Sequence, residues 1–124
     1  MTTWTPDELS RIASADELSI QPRRTDGSLR PPTPIWVVRD GDDLYVRAYH
    51  GRSGAWFRTA RATHTGHVAA GGVDRDVTFT EVDDPALAKR LDDAYRTKYA
   101  RYSAYVPPMV SDTARAATLR LTPA

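Results

Sequence analysis

The stretch PIWVVRDGDDLYVRAY, Pro34 to Tyr49, constrains the fold more than any other part of this chain. Two runs rich in β-branched and aromatic residues flank Gly41-Asp42, and such a dipeptide is the punctuation of a tight antiparallel hairpin. Because strand side chains alternate, Leu44, Val46 and Ala48 fall on one face of the second run, and Tyr45, Arg47 and Tyr49 on the other. The first face reads as core. The second reads as a surface with a task.

Other segments supply partners for this hairpin. Glu17 to Gln21 alternates, with Leu18 and Ile20 on one side; GHVAAGG and DVTFTEV return to strand character; ATLRLTP closes the chain with Ala117, Leu119 and Leu121 on one side. Two helices are signalled by their starts. Thr5 is an N-cap candidate before Pro6, Asp7 and Glu8, which predicts a helix from Thr5 to Ala15. From Asp84 to Tyr102, Leu87, Leu91, Tyr95, Tyr99 and Tyr102 recur at steps of three and four, the mark of an amphipathic helix. SGAWFRTARAT lacks strand alternation and reads as a third, short helix with Ser53 as its cap. PRRTDGSLRPPTP is dense in turn residues and reads as a long basic loop or a ragged hairpin. About six strands, mostly hairpin-connected, with two or three helices predict an α+β domain around an antiparallel barrel or strongly curved sheet. A chain of 124 residues fits one domain, taken as residues 1–124.

Composition removes several functions. The chain carries no cysteine, which excludes disulfides, thiolate metal sites and thiol nucleophiles. A formal charge of +1 names no polyanionic partner. Apolar runs such as IWVV are too short to cross a bilayer, and the opening MTTWTPDELSR is not a secretory leader, so a cytoplasmic location without membrane contact is expected.

Against this background one segment stands out. RAYHGRSGAWFRTARATHTGHV, Arg47 to Val68, holds all three histidines, four arginines and no carboxylate. Gly51 and Gly54 allow a tight turn, and a helix starting after Ser53 presents free amides beside Arg52, a setting for a phosphate or carboxylate. Arg47 on the neighbouring strand and Arg58 one turn along the helix would add planar contacts. Trp36, Tyr45, Tyr49 and Trp56 would wall a flat heterocycle. The competing reading is plain: the arginines pair with Asp40, Asp42 and Asp43, and the aromatics pack in the core. His50, His64 and His67 have neither the spacing nor the intervening carboxylates of a zinc site. Ser53 lies in GRSGAW rather than a nucleophile elbow. The Tyr45, Arg47, Tyr49 face has the look of a nucleic-acid stacking platform, but the balanced charge argues against it.

IWVVRDGDDLYVRAYHGRSGAWFRTA, GGVDRDVTF, AYRTKY and ATLRL together resemble the bacterial domain of unknown function 2255 over nearly the whole chain. That family is similar to the flavin- and deazaflavin-binding split barrels, among them deazaflavin-dependent nitroreductases. The resemblance implies a split barrel, a homodimer with cofactor at its interface, and FMN or a deazaflavin as ligand. In the relatives a basic glycine turn and the turn before a Trp-aromatic pair hold cofactor phosphate; here those positions match Arg24 to Arg30 and Gly51 to Gly54, with Trp56-Phe57 following. The expected site is therefore Arg24, Arg30, Arg47 and Arg52 on phosphate, Ser53, Gly54 and Arg58 at the helix start, and Trp36, Tyr49 and Trp56 around the ring. An oxidoreductase built this way requires no protein nucleophile. Past Trp56-Phe57 the chain departs from its relatives: Thr59-Ala60 stands for Asn-Leu, and Ala62-Thr63-His64 for Ala-Asn-Pro. That departure keeps open an alternative, a cofactor-free module that binds another anionic small molecule or a protein partner.

Overall fold

In the computed structural model, which describes residues 3–124, seven strands form one antiparallel sheet. Helix α1 (Pro6–Ser14) leads into β1 (Leu18–Pro22), β2 (Thr33–Ile35), β3 (Val37–Asp40) and β4 (Asp43–Arg47). Helix α2 (Ala55–Thr63), β5 (Thr65–Ala70), β6 (Val73–Glu81) and the long α3 (Pro85–Lys98) follow. Two short helices, α4 (Val106–Met109) and α5 (Asp112–Arg115), precede β7 (Thr118–Pro123). No helix among the described residues is long and apolar enough to cross a membrane.

The strand order is β2-β1-β5-β6-β7-β4-β3. Thus β2 and β3, adjacent in the chain and separated by Trp36 alone, are the two opposite edges of the sheet. Continuity of the chain brings these edges together, and among the described residues no strand pairing joins them, so the sheet curls into a nearly closed barrel with one seam. PIWVVRD is therefore not one strand but two, turned at Trp36. This adds a seventh strand to the six expected. PRRTDGSLRPPTP resolves as the ragged hairpin: Gly27 N–H donates to Arg24 C=O, and an isolated bridge joins Arg23 to Leu29.

Local chemistry explains most of the elements. Thr5 and Glu8 form a reciprocal capping box, each side chain bonding the other's amide, and Pro6 opens α1. The hairpin turn at Gly41-Asp42 aligns Asp40 with Asp43, and Gly41 takes the positive φ of +62° that such a turn requires. Gly66 serves another purpose: a Cβ there would lie 2.6 Å from the Gln21 carbonyl oxygen and 2.8 Å from the Phe79 ring, so only glycine lets β5 lie this close beneath them. Asp84 caps α3, accepting from the amides of Ala86 and Leu87. The helix stops at Lys98, short of the expected Tyr102; the chain tightens into a 3-10 turn over Ala100–Tyr102.

Two apolar layers result. The barrel interior holds Leu18, Ile20, Leu44, Val46, Phe57 and Phe79 among others, with Trp4 closing one end through an indole bond to the Leu121 carbonyl at 2.9 Å. A second layer lies between the sheet and α3, where Val38 and Tyr45 meet Leu87, Leu91, Tyr95 and Tyr99. This layer corrects the reading of β4 as half-surface. Tyr45 and Arg47 are 3% and 1% exposed, because α3 covers the face expected to work in solvent. Tyr95 and Tyr99 are fully buried, as their helical spacing requires.

Candidate functional site

Beyond β4 the chain must turn out of the sheet and start a helix. Gly51, at φ +72°, begins a 3-10 turn over Gly51–Ser53, and α2 starts at Ala55 with Gly54 as N-cap. Ser53 does not cap α2 as expected: it lies one residue too early, and its hydroxyl donates to the His50 carbonyl at 3.3 Å. Since glycine offers no side-chain acceptor, the N-terminus of this nine-residue helix keeps its free amides, with the partial positive charge of the helix dipole behind them.

That helix start stands at the junction of two cavities. The first, about 480 Å³, is a mainly apolar cleft walled by Trp36, Tyr49, Trp56, Tyr105 and Met109. Trp36 is held flat, stacked on Tyr99 at 3.9 Å with 2° between the rings; Tyr99 in turn accepts from the Val37 amide and donates to the Asp16 carbonyl. The second cavity, about 350 Å³, is lined by Arg24, Arg30 and Arg58 together with Thr25, Thr59 and Thr63. Arg30 and Ala55 line both, so the aromatic cleft opens directly onto the arginine cluster. Neither cavity is lined by a carboxylate, and Arg24, Arg30 and Arg58 make no ion pair among the described residues. Arg24 is anchored by its own turn, donating to the Leu29 carbonyl at 3.1 Å.

Seven of the ten expected residues thus meet here with free or ring surface: Arg24, Arg30, Trp36, Tyr49, Gly54, Trp56 and Arg58. The other three do not. Arg47 reaches the cleft wall, but its guanidinium is turned inward, donating to Asp92 at 2.6 Å, to the Met109 and Ala88 carbonyls at 3.0 Å each, and to Thr118 at 3.2 Å. Four of its five N–H groups are thus taken by protein acceptors, and the side chain is buried. Arg52 lines neither cavity; it donates to Glu81 at 2.8 Å and to the Ala116 carbonyl at 2.9 Å. Ser53, as above, is bonded to its own turn.

Asp92 is the residue that sequence reasoning missed. It is 4% exposed and accepts from both Arg47 and Arg115, the latter at 2.6 Å, so one carboxylate joins β4, α3 and α5. Burial pushes its pKa up, yet the hydrogen bonds and charges of Arg115 and Arg47 prevail and hold it below the ordinary carboxylate value. A signal existed: Asp92 follows Leu91 and precedes Tyr95 by one turn, which sets a charge at the margin of the buried stripe of α3. Tyr105 and Met109 went unnoticed because Pro107 and Pro108 mark only a break in the pattern. The histidines are dispersed: His50 lines the cleft, His64 ends α2, and His67 lies between Asp74 and Asp76 on the β5–β6 hairpin. Among the described residues no group of three ligating side chains is placed to hold a metal.

Solved structures share this architecture at low identity. An F420-H2 dependent reductase, FDR-A, is 17% identical with a TM-score of 0.62, covering 86% of this chain and 93% of that one. The heme storage protein HutZ from Vibrio cholerae is 10% identical, TM-score 0.65, covering 100% and 92%. An FAD-binding protein from Mesorhizobium loti is 16% identical, TM-score 0.54, covering 98% and 89%. Such likeness fixes the fold as an α+β split barrel. No protein of curated function matches the chain. The profile of one family matches residues 8–121, nearly the whole sequence, and the chain therefore belongs to DUF2255, the family described as an uncharacterized protein conserved in bacteria.

Proposed function

We propose that this protein binds a phosphate-bearing flavin-type cofactor, a flavin or a deazaflavin, and serves as an oxidoreductase. One observation carries the reading: a cleft walled by Trp36, Tyr49 and Trp56 opens, through Arg30 and the uncapped start of α2, onto three arginines that form no ion pair among the described residues. The residues fit such a group. A cleft of about 480 Å³ lies in the range that accommodates a fused heterocycle. Arg24, Arg30 and Arg58 would take its phosphate, aided by the amides of α2, and the indoles of Trp36 and Trp56 would bound the ring. The cofactor would supply the hydride chemistry. The chain's own part is to bind, orient and exclude water. Structures named for F420-dependent reduction and FAD binding share the fold and support this class of ligand.

Tyr49 and Tyr105, 49% and 61% exposed at the mouth, leave the cleft open on one side. A second copy of the chain covering them would complete it, which favours a homodimer. The test is spectroscopic. Freshly purified protein should show flavin-type absorbance, or bind FMN, FAD or a deazaflavin at low micromolar concentration or tighter. Indifference to all three, with a specific thermal shift from another anionic metabolite, would instead establish the cofactor-free binding module.

A further inference from the structure

Trp36 touches both the cleft and a cluster of phenols. Its indole walls the cleft, and the ring centres of Tyr99, Tyr102 and Tyr95 lie 3.9, 6.1 and 6.5 Å from it. Tyr102, on the 3-10 turn after α3, is exposed and lines no part of the cleft, so these rings run from the cleft to a separate surface. Packing explains why the rings meet. It does not explain how their hydroxyls differ. Tyr95 is fully buried, and among the described residues no acceptor takes its hydroxyl proton. Tyr99 donates to the Asp16 carbonyl at 2.8 Å, an amide oxygen too weakly basic to keep a proton. Of the three, Tyr102 alone faces a carboxylate, that of Asp16 at 3.4 Å, whose other partner is Arg101. Nearby cations deepen the contrast. Lys98 lies 5.1 Å from the Tyr99 ring centre and Arg47 lies 5.3 Å from that of Tyr95, so a positive charge on either ring is repelled. Arg101, 5.0 Å from the Tyr102 ring centre, opposes a cation there too, but not the neutral radical left once the proton has gone.

We propose that Trp36 and Tyr102 form a one-electron port, through which a light-excited flavin-type group in the cleft is reduced by a small soluble reductant of the ascorbate class that never enters the cleft. The proposal rests on the flavin reading of that cleft. Excitation supplies the oxidising power that removal of an electron from indole demands. Trp36 yields one electron to the excited group and becomes a radical cation. Tyr102 then returns an electron to Trp36 and passes its hydroxyl proton to Asp16, leaving a neutral phenoxyl radical and a protonated carboxyl. The reductant gives a hydrogen atom to the phenoxyl oxygen, and Asp16 releases its proton to water. The net change is one electron delivered to the cleft, one hydrogen atom lost by the reductant and one proton released. Tyr99, stacked on Trp36 with 2° between the rings, shares the positive charge of the indole without holding it.

The first experiment needs no cofactor, so its failure leaves the flavin reading standing. Azide radicals made by pulse radiolysis at neutral pH oxidise indole in preference to phenol, and time-resolved absorbance follows tryptophan radical giving way to tyrosine radical. In the intact protein this conversion should include a first-order phase independent of protein concentration. Tyr102→Phe and Trp36→Phe should each abolish that phase. Its persistence in Tyr102→Phe, or its absence from the unaltered protein, would overturn the proposal. Asp16→Asn should slow the phase about tenfold or more; an unchanged rate would remove Asp16 as the proton acceptor. The second experiment tests the light-driven role. Protein loaded with FMN and freed of unbound ligand, under blue light with anaerobic ascorbate, should lose its flavin band several-fold more slowly as Tyr102→Phe, with FMN affinity unaltered. Equal bleaching would overturn that role.

Discussion

Two groups of arginines separate structure from chemistry in this protein. Arg47 and Arg115 converge on Asp92, with Arg47 1% exposed and bonded to three further acceptors. Arg24, Arg30 and Arg58 form no ion pair among the described residues and stand at the open end of a cleft lined by rings, with Arg24 bonded only within its own turn. The residue type is the same. What differs is the carboxylate: α3 brings Asp92 into bonding contact with the first group, whereas Asp26, near Arg24, is bonded to Ser28 and forms no ion pair with the second. A guanidinium surrounded by matched acceptors holds elements in place, and one left without them retains its capacity for an anion.

The sharpest way to break this contrast is Asp92→Asn. It leaves Arg47 buried without a counter-charge, and unfolding stability should fall by about 3–5 kcal/mol, read by urea denaturation. The same pair sets a pH dependence. Because the folded pKa of Asp92 is lowered, its contribution is present above the unfolded carboxylate value, near 3.8, and should disappear only as pH falls below that through the folded value. Loss of the contribution already at pH 5 would contradict the pairing.

Arg30→Ala addresses the other group. If Arg30 joins ring and phosphate subsites, affinity for the bound flavin-type ligand should drop by about 1.5–3 kcal/mol by titration, with little change in stability. Arg52→Ala should leave ligand affinity unchanged, since Arg52 faces Glu81, and loss of that solvent-screened pair should cost at most about 1 kcal/mol. A large affinity loss there would redraw the site. The smallest effect concerns His67. A hydrogen bond donated to Asp76, reinforced by Asp74 against partial burial, raises its pKa, so its contribution is full below the unfolded value of 6.5 and fades as pH rises through the folded one. His67→Gln should flatten a shallow stability decline on the alkaline side of 6.5; an unchanged profile would dismiss the coupling.

Much of this architecture was legible in the residues, for reasons that also mark the limits. Alternation and turn chemistry disclosed β1, the Gly41-Asp42 hairpin and β7, and the leucine and tyrosine steps disclosed α3, because these are local signals. Trp36 carries no such signal: that one residue divides PIWVVRD between opposite sheet edges depends on barrel closure, a property of the whole chain. Arg47 was misread for the same reason. Its alternation with Tyr45 and Tyr49 is real, but only the placement of α3 decides whether that face meets water or Asp92. Tyr49, Gly54, Trp56 and Arg58 line the two cavities as nominated, since a segment without acids shows its character regardless of how it folds. Asp92, distant from Arg47 by 45 positions, lay beyond pairwise reading.

Trp36 finally gives the barrel a clasp. The sheet's ends are fastened by one peptide segment, not by a ladder, and the ring that walls the cleft belongs to that fastening residue. A molecule resting on this indole would press on the closure itself. Occupancy and barrel integrity are then one equilibrium: ligand should raise the melting temperature and slow amide exchange in β2 and β3 before any other strands.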